Sequence, residues 1–102
     1  MLTEPSLHVD ANADRTTTVR LSGEIRAENV PTVRGTFESV GGSGPLIVDL
    51  TDVGYLDSAA VALLFDVASE RGLELVLGPG CAVFAVIQVS GIDQLATLRS
   101  VR

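Results

Sequence analysis

The feature that most constrains the fold is an extended apolar segment followed closely by a segment with helical periodicity. Residues 45–50 (Pro-Leu-Ile-Val-Asp-Leu) have the composition of a buried strand, and apolar side chains then recur at helical spacing between Val61 and Ala68. Asp57 and Ser58 lie where the helix begins, and either side chain can cap it by accepting a backbone N–H. The sequence therefore predicts a strand-to-helix junction with an exposed hydroxyl, where the free N–H groups of the first turn favour an added phosphate.

The N-terminal residues predict a β-hairpin. Leu7 and Val9 alternate with polar residues, residues 11–15 are polar and typical of a turn, and residues 17–21 alternate again. Gly23 is expected to end the second strand. The chain therefore opens with two antiparallel strands.

Three segments in all have helical character. In residues 28–40 apolar side chains recur three and four positions apart, and Pro31 suits the first turn because its missing N–H costs nothing there. The second helix is expected over residues 58–70, and the third over residues 81–89, closed by residues 90–91. The apolar face expected for the third helix comprises Val83, Val86 and Ile87.

Strands are predicted between and after these helices. The glycine-rich residues 41–44 lead into a strand over residues 46–50, and two more strands are expected over residues 73–77 and 97–101. Helices thus alternate with strands after the hairpin. This order favours an α/β fold with a mixed β-sheet, whose later strands are joined by helical crossovers packed on the sheet.

Length and composition favour one small folded unit. With 102 residues, 46% of them hydrophobic, the chain can bury one core, and we expect a single domain over residues 1–102. The 13 acidic and 7 basic residues give a net charge of −6, which disfavours binding to nucleic acid or to an anionic membrane surface. A protein partner or a small ligand remains open.

Targeting signals and metal-binding motifs are not visible in the sequence. Cys81 is the only cysteine, so it cannot form an internal disulfide, and no histidine cluster adjoins it. Residues 1–5 carry an acid and a proline where a signal peptide would carry basic residues, and no stretch reaches the ~20 apolar residues of a membrane span. We therefore expect a cytoplasmic protein without a metal, a cofactor or a membrane-inserted segment.

The order of these elements, together with four short motifs, resembles the STAS domain, which is found in anti-sigma factor antagonists and in sulfate transporter tails. The resemblance covers about residues 5–101, and its most specific part is the Asp-Ser pair placed just after the apolar-Asp-Leu strand. The motifs are Leu21-Ser22-Gly23-Glu24-Ile25, Ile47-Val48-Asp49-Leu50-Thr51-Asp52-Val53, Tyr55-Leu56-Asp57-Ser58 and Val89-Ser90-Gly91-Ile92.

This resemblance implies an anti-sigma factor antagonist controlled by phosphorylation. In phosphorylated members of the family, the serine after this aspartate accepts phosphate from an anti-sigma factor kinase, and that role falls on Ser58. The unmodified protein would bind the kinase and release a sigma factor, and a PP2C-type phosphatase would reset it. The kinase would supply the catalytic groups and Mg-ATP, so no intrinsic enzyme activity is expected. The implied partner-binding residues are Asp57, Ser58, Ala59, Ala60, Val61, Glu24 and Arg26.

The chain departs from the family pattern at residues 58–62, at Arg26, and at the C-terminal helix common in the family, which we expect to be absent or very short here. The family usually continues Ser-Ser/Thr-Gly-Leu-Gly, whereas residues 58–62 are Ser-Ala-Ala-Val-Ala, and each alanine in place of glycine favours the helix by up to about 1 kcal/mol. Arg26 stands where the family's Gly-Glu-Leu-Asp motif has an acid. One hypothesis is that Arg26 forms charge-assisted hydrogen bonds to a phosphate on Ser58; the alternative is an ordinary solvent-facing arginine.

Two other functions stay open at this level. A STAS domain that is never phosphorylated can serve as a fixed subunit of a transporter, for example a lipid-transporting ABC complex, or of another regulatory complex. A small thiol-dependent or hydrolytic activity at Cys81 or Ser58 is the third reading, but the sequence offers no visible base for either nucleophile.

Overall fold

The computed structural model describes residues 5–14, 16–40, 45–78 and 82–100, and the fold it shows is the predicted mixed sheet with helical crossovers. After the two-stranded N-terminal hairpin, three further strands alternate with three α-helices in the described residues, with two short 3-10 turns beside the helices. The strands are β1 (Ser6–Ala11), β2 (Thr17–Ile25), β3 (Leu46–Leu56), β4 (Leu73–Leu77) and β5 (Thr97–Ser100). The helices are α1 (Val30–Ser39), α2 (Ser58–Glu70) and α3 (Phe84–Ser90), and the 3-10 turns are Ala27–Asn29 and Ile92–Gln94.

The sheet follows chain order, β1-β2-β3-β4-β5. β1 pairs with β2 in antiparallel fashion, and the remaining neighbours are parallel. Parallel neighbours require crossover connections, which α1, α2 and α3 supply. The carboxyl ends of β2 and β3 therefore lie side by side, with Ile25 opposite Leu56.

The two faces of the sheet differ in chemistry because side chains alternate along each strand. One face carries buried apolar side chains such as Val19 and Val48, and the buried side chains of all three helices belong to the same core cluster. The other face carries charged residues: Arg20 lies 3.9 Å from Asp49 and 3.7 Å from Asp10. The core thus lies between the helices and one face of the sheet.

Two strands are longer than the sequence analysis predicts. β2 continues past Gly23 to Ile25, because Gly23 adopts φ 86° and the register with β3 shifts on either side of Ser22 and Gly23. β3 continues beyond Leu50 to Leu56. Its buried side chains then follow at spacings of three, at Leu50, Val53 and Leu56, so the period of two is lost.

The helices begin later than predicted at two places. The residues before Val30 form a 3-10 turn, and α3 begins at Phe84. Val83 and Ile87 are buried as their shared face predicts, but Val86 is 40% exposed, so its placement on the buried face is wrong. Gly91 closes α3 with φ 80°, as predicted for a helix-ending glycine. The predicted turn at residues 41–44, Cys81 and Val101 lie outside the described residues.

Candidate functional site

Asp57 joins three elements at the carboxyl edge of the sheet. It is the N-cap of α2, with extended backbone, and its Oδ1 accepts the Ala60 N–H at 3.0 Å. Its Oδ2 accepts the Ala27 N–H at 2.7 Å, which holds the segment after β2 against the start of α2. Its own N–H donates to the Ile25 carbonyl at 3.2 Å. Of the two predicted cap candidates, Asp57 therefore performs the capping.

Ser58 is the first residue of α2, and its side chain is exposed. Within the described part of the chain, its hydroxyl has no hydrogen-bond partner. No side chain of the described residues therefore accepts a hydrogen bond from it. The hydroxyl is available to an incoming group.

A groove of about 520 Å³ opens beside Ser58, between the start of α2 and the outer face of α3. Asp57 is the only charged residue among the described residues that line it, and the Asp57 carboxylate already accepts two backbone N–H groups. The groove is therefore mainly apolar and contains an exposed serine hydroxyl. Its lining residues are Leu56, Asp57, Ser58, Val61, Ala85, Val86, Val89 and Ser90.

Ser90 lies in the same groove, but its hydroxyl is engaged. Its Oγ donates to the Ile87 carbonyl at 2.6 Å and accepts the Ile92 N–H at 3.2 Å. These bonds join the end of α3 to the following 3-10 turn. The two serines of the groove thus differ in availability.

Glu24 and Arg26 form a second polar cluster at this edge of the sheet. Arg26 Nη2 donates to Glu24 Oε1 at 2.8 Å and Arg26 Nε donates to the same oxygen at 3.3 Å. The hydrogen bonds that Arg26 donates to the Glu24 carboxylate raise the pKa of Arg26 above its ordinary value. The Arg26 guanidinium also lies 4.5 Å from the centroid of the Tyr55 ring, a cation–π distance. Tyr55 is opposite Glu24 in the register of β2 and β3.

Comparison with known protein families decides the classification. Residues 8–99 match the family model described as "Mlab, STAS domain". The chain belongs to the STAS domain family. The sequence resemblance is thereby confirmed, although the sequence matches no curated protein at a significant level.

Solved structures show the same STAS fold at low sequence identity. An anti-sigma factor antagonist from Mycobacterium paratuberculosis has a TM-score of 0.80 at 22% identity, over 94% of this chain and 86% of that one. The anti-sigma factor antagonist SpoIIAA in its unphosphorylated form has a TM-score of 0.68 at 19% identity, over 91% of this chain and 87% of that one. The Bacillus cell fate determinant SpoIIAA in its phosphorylated form has a TM-score of 0.60 at 19% identity, over 91% of this chain and 90% of that one.

The STAS domain brings most of the predicted site residues to one edge of the sheet. Asp57, Ser58 and Val61 line the groove, and Ala59 is partly exposed beside them. Ala60 is 2% exposed, so its methyl group packs in the core and is not available to a partner. Its contribution to the site is the N–H that Asp57 accepts.

Sequence reasoning missed the second wall of the groove. Val86 and Val89 are exposed on α3 and line the groove opposite the start of α2. A spacing of three places them on one side of the helix, but a seven-residue helix is too short for periodicity to identify its outer face. The available signal was the apolar character of Val89, which lies outside the buried set of Val83 and Ile87.

Two further observations bear on the chemistry of the STAS domain. Among the described residues, no group of three or more His, Cys, Asp or Glu side chains is arranged to hold a metal ion. No helix of that part of the chain has the length and apolar character needed to span a bilayer.

Proposed function

We propose that this STAS domain is an anti-sigma factor antagonist. While Ser58 is unmodified, it binds an anti-sigma factor protein kinase in the cytoplasm and thereby releases a sigma factor. The kinase phosphorylates Ser58 with its own Mg-ATP, which ends the binding, and a PP2C-type phosphatase removes the phosphate. The domain, over residues 1–102, is then a substrate and binding module, not an enzyme.

The observation that carries this proposal is the state of the Ser58 hydroxyl. It is exposed at the first position of α2, has no hydrogen-bond partner among the described residues, and opens onto an apolar groove. An unengaged hydroxyl can enter a kinase active site without breaking a bond of the fold. That a protein of the same fold, SpoIIAA, is known in both unphosphorylated and phosphorylated forms supports this assignment.

The same geometry explains why phosphate would end binding. A phosphoserine carries a charge of about −1.5 to −2 at neutral pH. The described lining of the groove contains no lysine or arginine, and Asp57 adds a negative charge next to Ser58. A partner that covers the groove would therefore have to bury the phosphate without a compensating cation from the groove lining, which opposes binding.

The proposed partner surface consists of the groove and the adjoining polar cluster. Asp57, Ser58, Ala59 and Val61 contribute from the start of α2, and Glu24 and Arg26 contribute from the end of β2. The Asp57–Ala27 hydrogen bond supports this assignment because it ties the two segments together.

The test is incubation of the protein with Mg-ATP and each candidate anti-sigma factor kinase of the same genome. We expect the intact mass to rise by one phosphate, with the modified peptide mapping to Ser58. Phosphate on Ser90 or on Ser43, which lies outside the described residues, with Ser58 unmodified, would contradict the assignment.

A second candidate is a constitutive subunit of a transporter or other complex, in which the same surface docks without phosphorylation. It is favoured by the description of the matching family model, which names Mlab and not an anti-sigma factor antagonist. The kinase incubation separates the two, since a constitutive subunit would stay unmodified with every kinase and bind its partner equally well with an acidic residue at position 58.

A further inference from the structure

The outer side of α3 carries an apolar pair that the fold itself does not use. Val89 is 87% exposed and Val86 is 40% exposed. Val83 and Ile87 already anchor the helix to the core, at 1% and 0% exposure. The exposed pair is therefore not explained by packing within the domain.

Both valines face the groove that contains Ser58. A kinase that transfers phosphate to the Ser58 hydroxyl must bring its active site to this groove, so it must also cover the opposite wall. We propose that Val86 and Val89 form a docking patch for an apolar side chain of that kinase, and that this patch helps it to select the domain. The inference rests on the proposed function of Ser58.

The chemistry of the groove favours a protein over a small ligand or a membrane. Small-molecule sites usually enclose most of their ligand, whereas this groove is open to solvent along one side. Its described lining residues offer no cation for a lipid headgroup, and the net charge of −6 opposes an anionic bilayer. An open apolar surface beside a modifiable hydroxyl fits a partner that contributes its own side chains.

Docking on α3 would also affect the transfer step. Phosphoryl transfer depends on holding the acceptor oxygen in line with the leaving group, and contacts away from the reacting atoms supply that alignment. Loss of the α3 contact should therefore lower both the affinity of the kinase and the rate at which Ser58 is phosphorylated.

The experiment compares Val89→Asp, Val89→Lys and Val89→Leu with the wild-type domain, using a kinase that modifies the wild type. Val9→Asp is the matched control, because Val9 is 47% exposed on β1, the edge strand farthest from β5 in the sheet order. Affinity is measured by calorimetry and phosphorylation by intact mass, and thermal denaturation checks that each variant is folded. We expect Val89→Asp and Val89→Lys each to weaken binding about tenfold or more, because either charge must be desolvated at an apolar contact.

Val9→Asp should bind and react like the wild type, and Val89→Leu, which keeps the patch apolar, should lose less affinity than either charged variant. If folded Val89→Asp binds as tightly as Val9→Asp, the docking patch is wrong while the phosphorylation of Ser58 stands. If Val89→Lys binds the kinase normally and only Val89→Asp loses affinity, the contact is electrostatic. That result would overturn the proposal that an apolar side chain of the kinase occupies the patch. If no kinase modifies the wild type, the proposed function fails. The proposal that a kinase occupies the patch then fails as well.

Two controls without kinase test other occupants. Sedimentation tests whether the wild type self-associates. Self-association that is lost in Val89→Asp would assign the patch to a second copy of the chain and overturn the proposal. Binding to phosphatidylcholine–phosphatidylglycerol vesicles that Val89→Asp abolishes would assign it to a membrane, with the same consequence. We expect the wild type to show neither behaviour.

Discussion

Ser58 and Ser90 line the same groove, yet only one of them is part of the hydrogen-bonding of the fold. Ser90 bonds to the Ile87 carbonyl and to the Ile92 N–H, so it connects α3 to the next turn. Ser58 has no such bond within the described residues. A serine at a helix end is therefore not in itself a functional site, and its hydrogen-bond partners decide the difference.

The difference between the serines originates in their neighbours. At the start of α2, the Asp57 carboxylate accepts the N–H groups of Ala27 and Ala60, so the cap of this helix does not use the Ser58 hydroxyl. At the end of α3, no carboxylate performs this role for Ile92, and the Ser90 hydroxyl accepts its N–H instead. At the start of α2 the carboxylate thus makes the structural hydrogen bonds, and the adjacent Ser58 hydroxyl stays without a bond among the described residues.

The largest expected effect is on phosphorylation. Ser58→Ala should abolish phosphate incorporation by the cognate kinase, whereas Ser90→Ala should leave it intact, because only the Ser58 hydroxyl is unengaged. Intact mass after incubation with Mg-ATP measures both. Incorporation that survives Ser58→Ala and disappears in Ser90→Ala would reverse the assignment of the two serines.

The next effect is on stability, where Ser90 should matter more than Ser58. Asp57→Ala removes the α2 cap and the bond to the Ala27 N–H, and should lower the free energy of unfolding by about 2–4 kcal/mol. Ser90→Ala should cost about 1 kcal/mol, and Ser58→Ala less than about 0.5 kcal/mol, since no bond is lost. Urea denaturation measures all three.

Asp57→Asn serves as the control for charge and shape. The amide keeps one acceptor oxygen but presents an NH₂ group to the second N–H, so its stability should lie between wild type and Asp57→Ala. Equal stability of Asp57→Ala and Ser58→Ala would show that the Asp57 carboxylate contributes no more to folding stability than the Ser58 hydroxyl.

A third effect concerns affinity for the kinase. Ser58→Asp should weaken binding about tenfold or more, because it places a charge beside Asp57 in a groove without described cations. Ser58→Ala should bind like the wild type. Calorimetric titration compares the two, and equal affinities would favour the constitutive-subunit function over a charge switch.

The sequence predicted the parts of the fold where local pattern and tertiary structure agree. The spacing of apolar residues in α2 and the Asp57–Ser58 junction identified the helix start, because burial repeats at the helical period and the cap lies next to it. β3 was predicted too short because a register irregularity shifts its buried positions from a spacing of two to a spacing of three. Such an irregularity depends on the partner strand, which local pattern does not reveal.

The site was predictable on the α2 side only. Asp57 and Ser58 are adjacent in sequence, but the Ala27 N–H that Asp57 accepts is 30 residues away, and the α3 wall is about as distant on the other side. The family resemblance implied that Ala60 lies at the partner surface, yet the helical turn directs its side chain into the core. Contacts across the chain, and the direction of each side chain, come from packing of the whole domain.

The smallest expected effect concerns Arg26, whose role toward a phosphate on Ser58 stays a prediction. In the unmodified domain Arg26 is bonded to Glu24 and stacked on Tyr55. Ala27, which follows Arg26, is hydrogen-bonded to Asp57, which precedes Ser58, so Arg26 and Ser58 lie on neighbouring segments. A phosphate on Ser58 would therefore compete with Glu24 for the Arg26 guanidinium. Because a partly exposed ion pair contributes little, we expect Arg26 to raise the melting temperature of the phosphorylated form over the unmodified form by about 4 °C or less.

Melting temperatures of both forms test this contact in three proteins. Arg26→Ala should remove the difference between phosphorylated and unmodified protein. Glu24→Gln should enlarge it, since it removes the competing carboxylate while leaving the guanidinium in place. This pair of variants separates a phosphate contact from a general effect of losing a positive charge, because only a direct contact responds in opposite directions to the two changes. A phosphorylation-dependent shift of the same size in the wild type and in Arg26→Ala would leave Arg26 as a surface residue that serves Glu24 and Tyr55 alone.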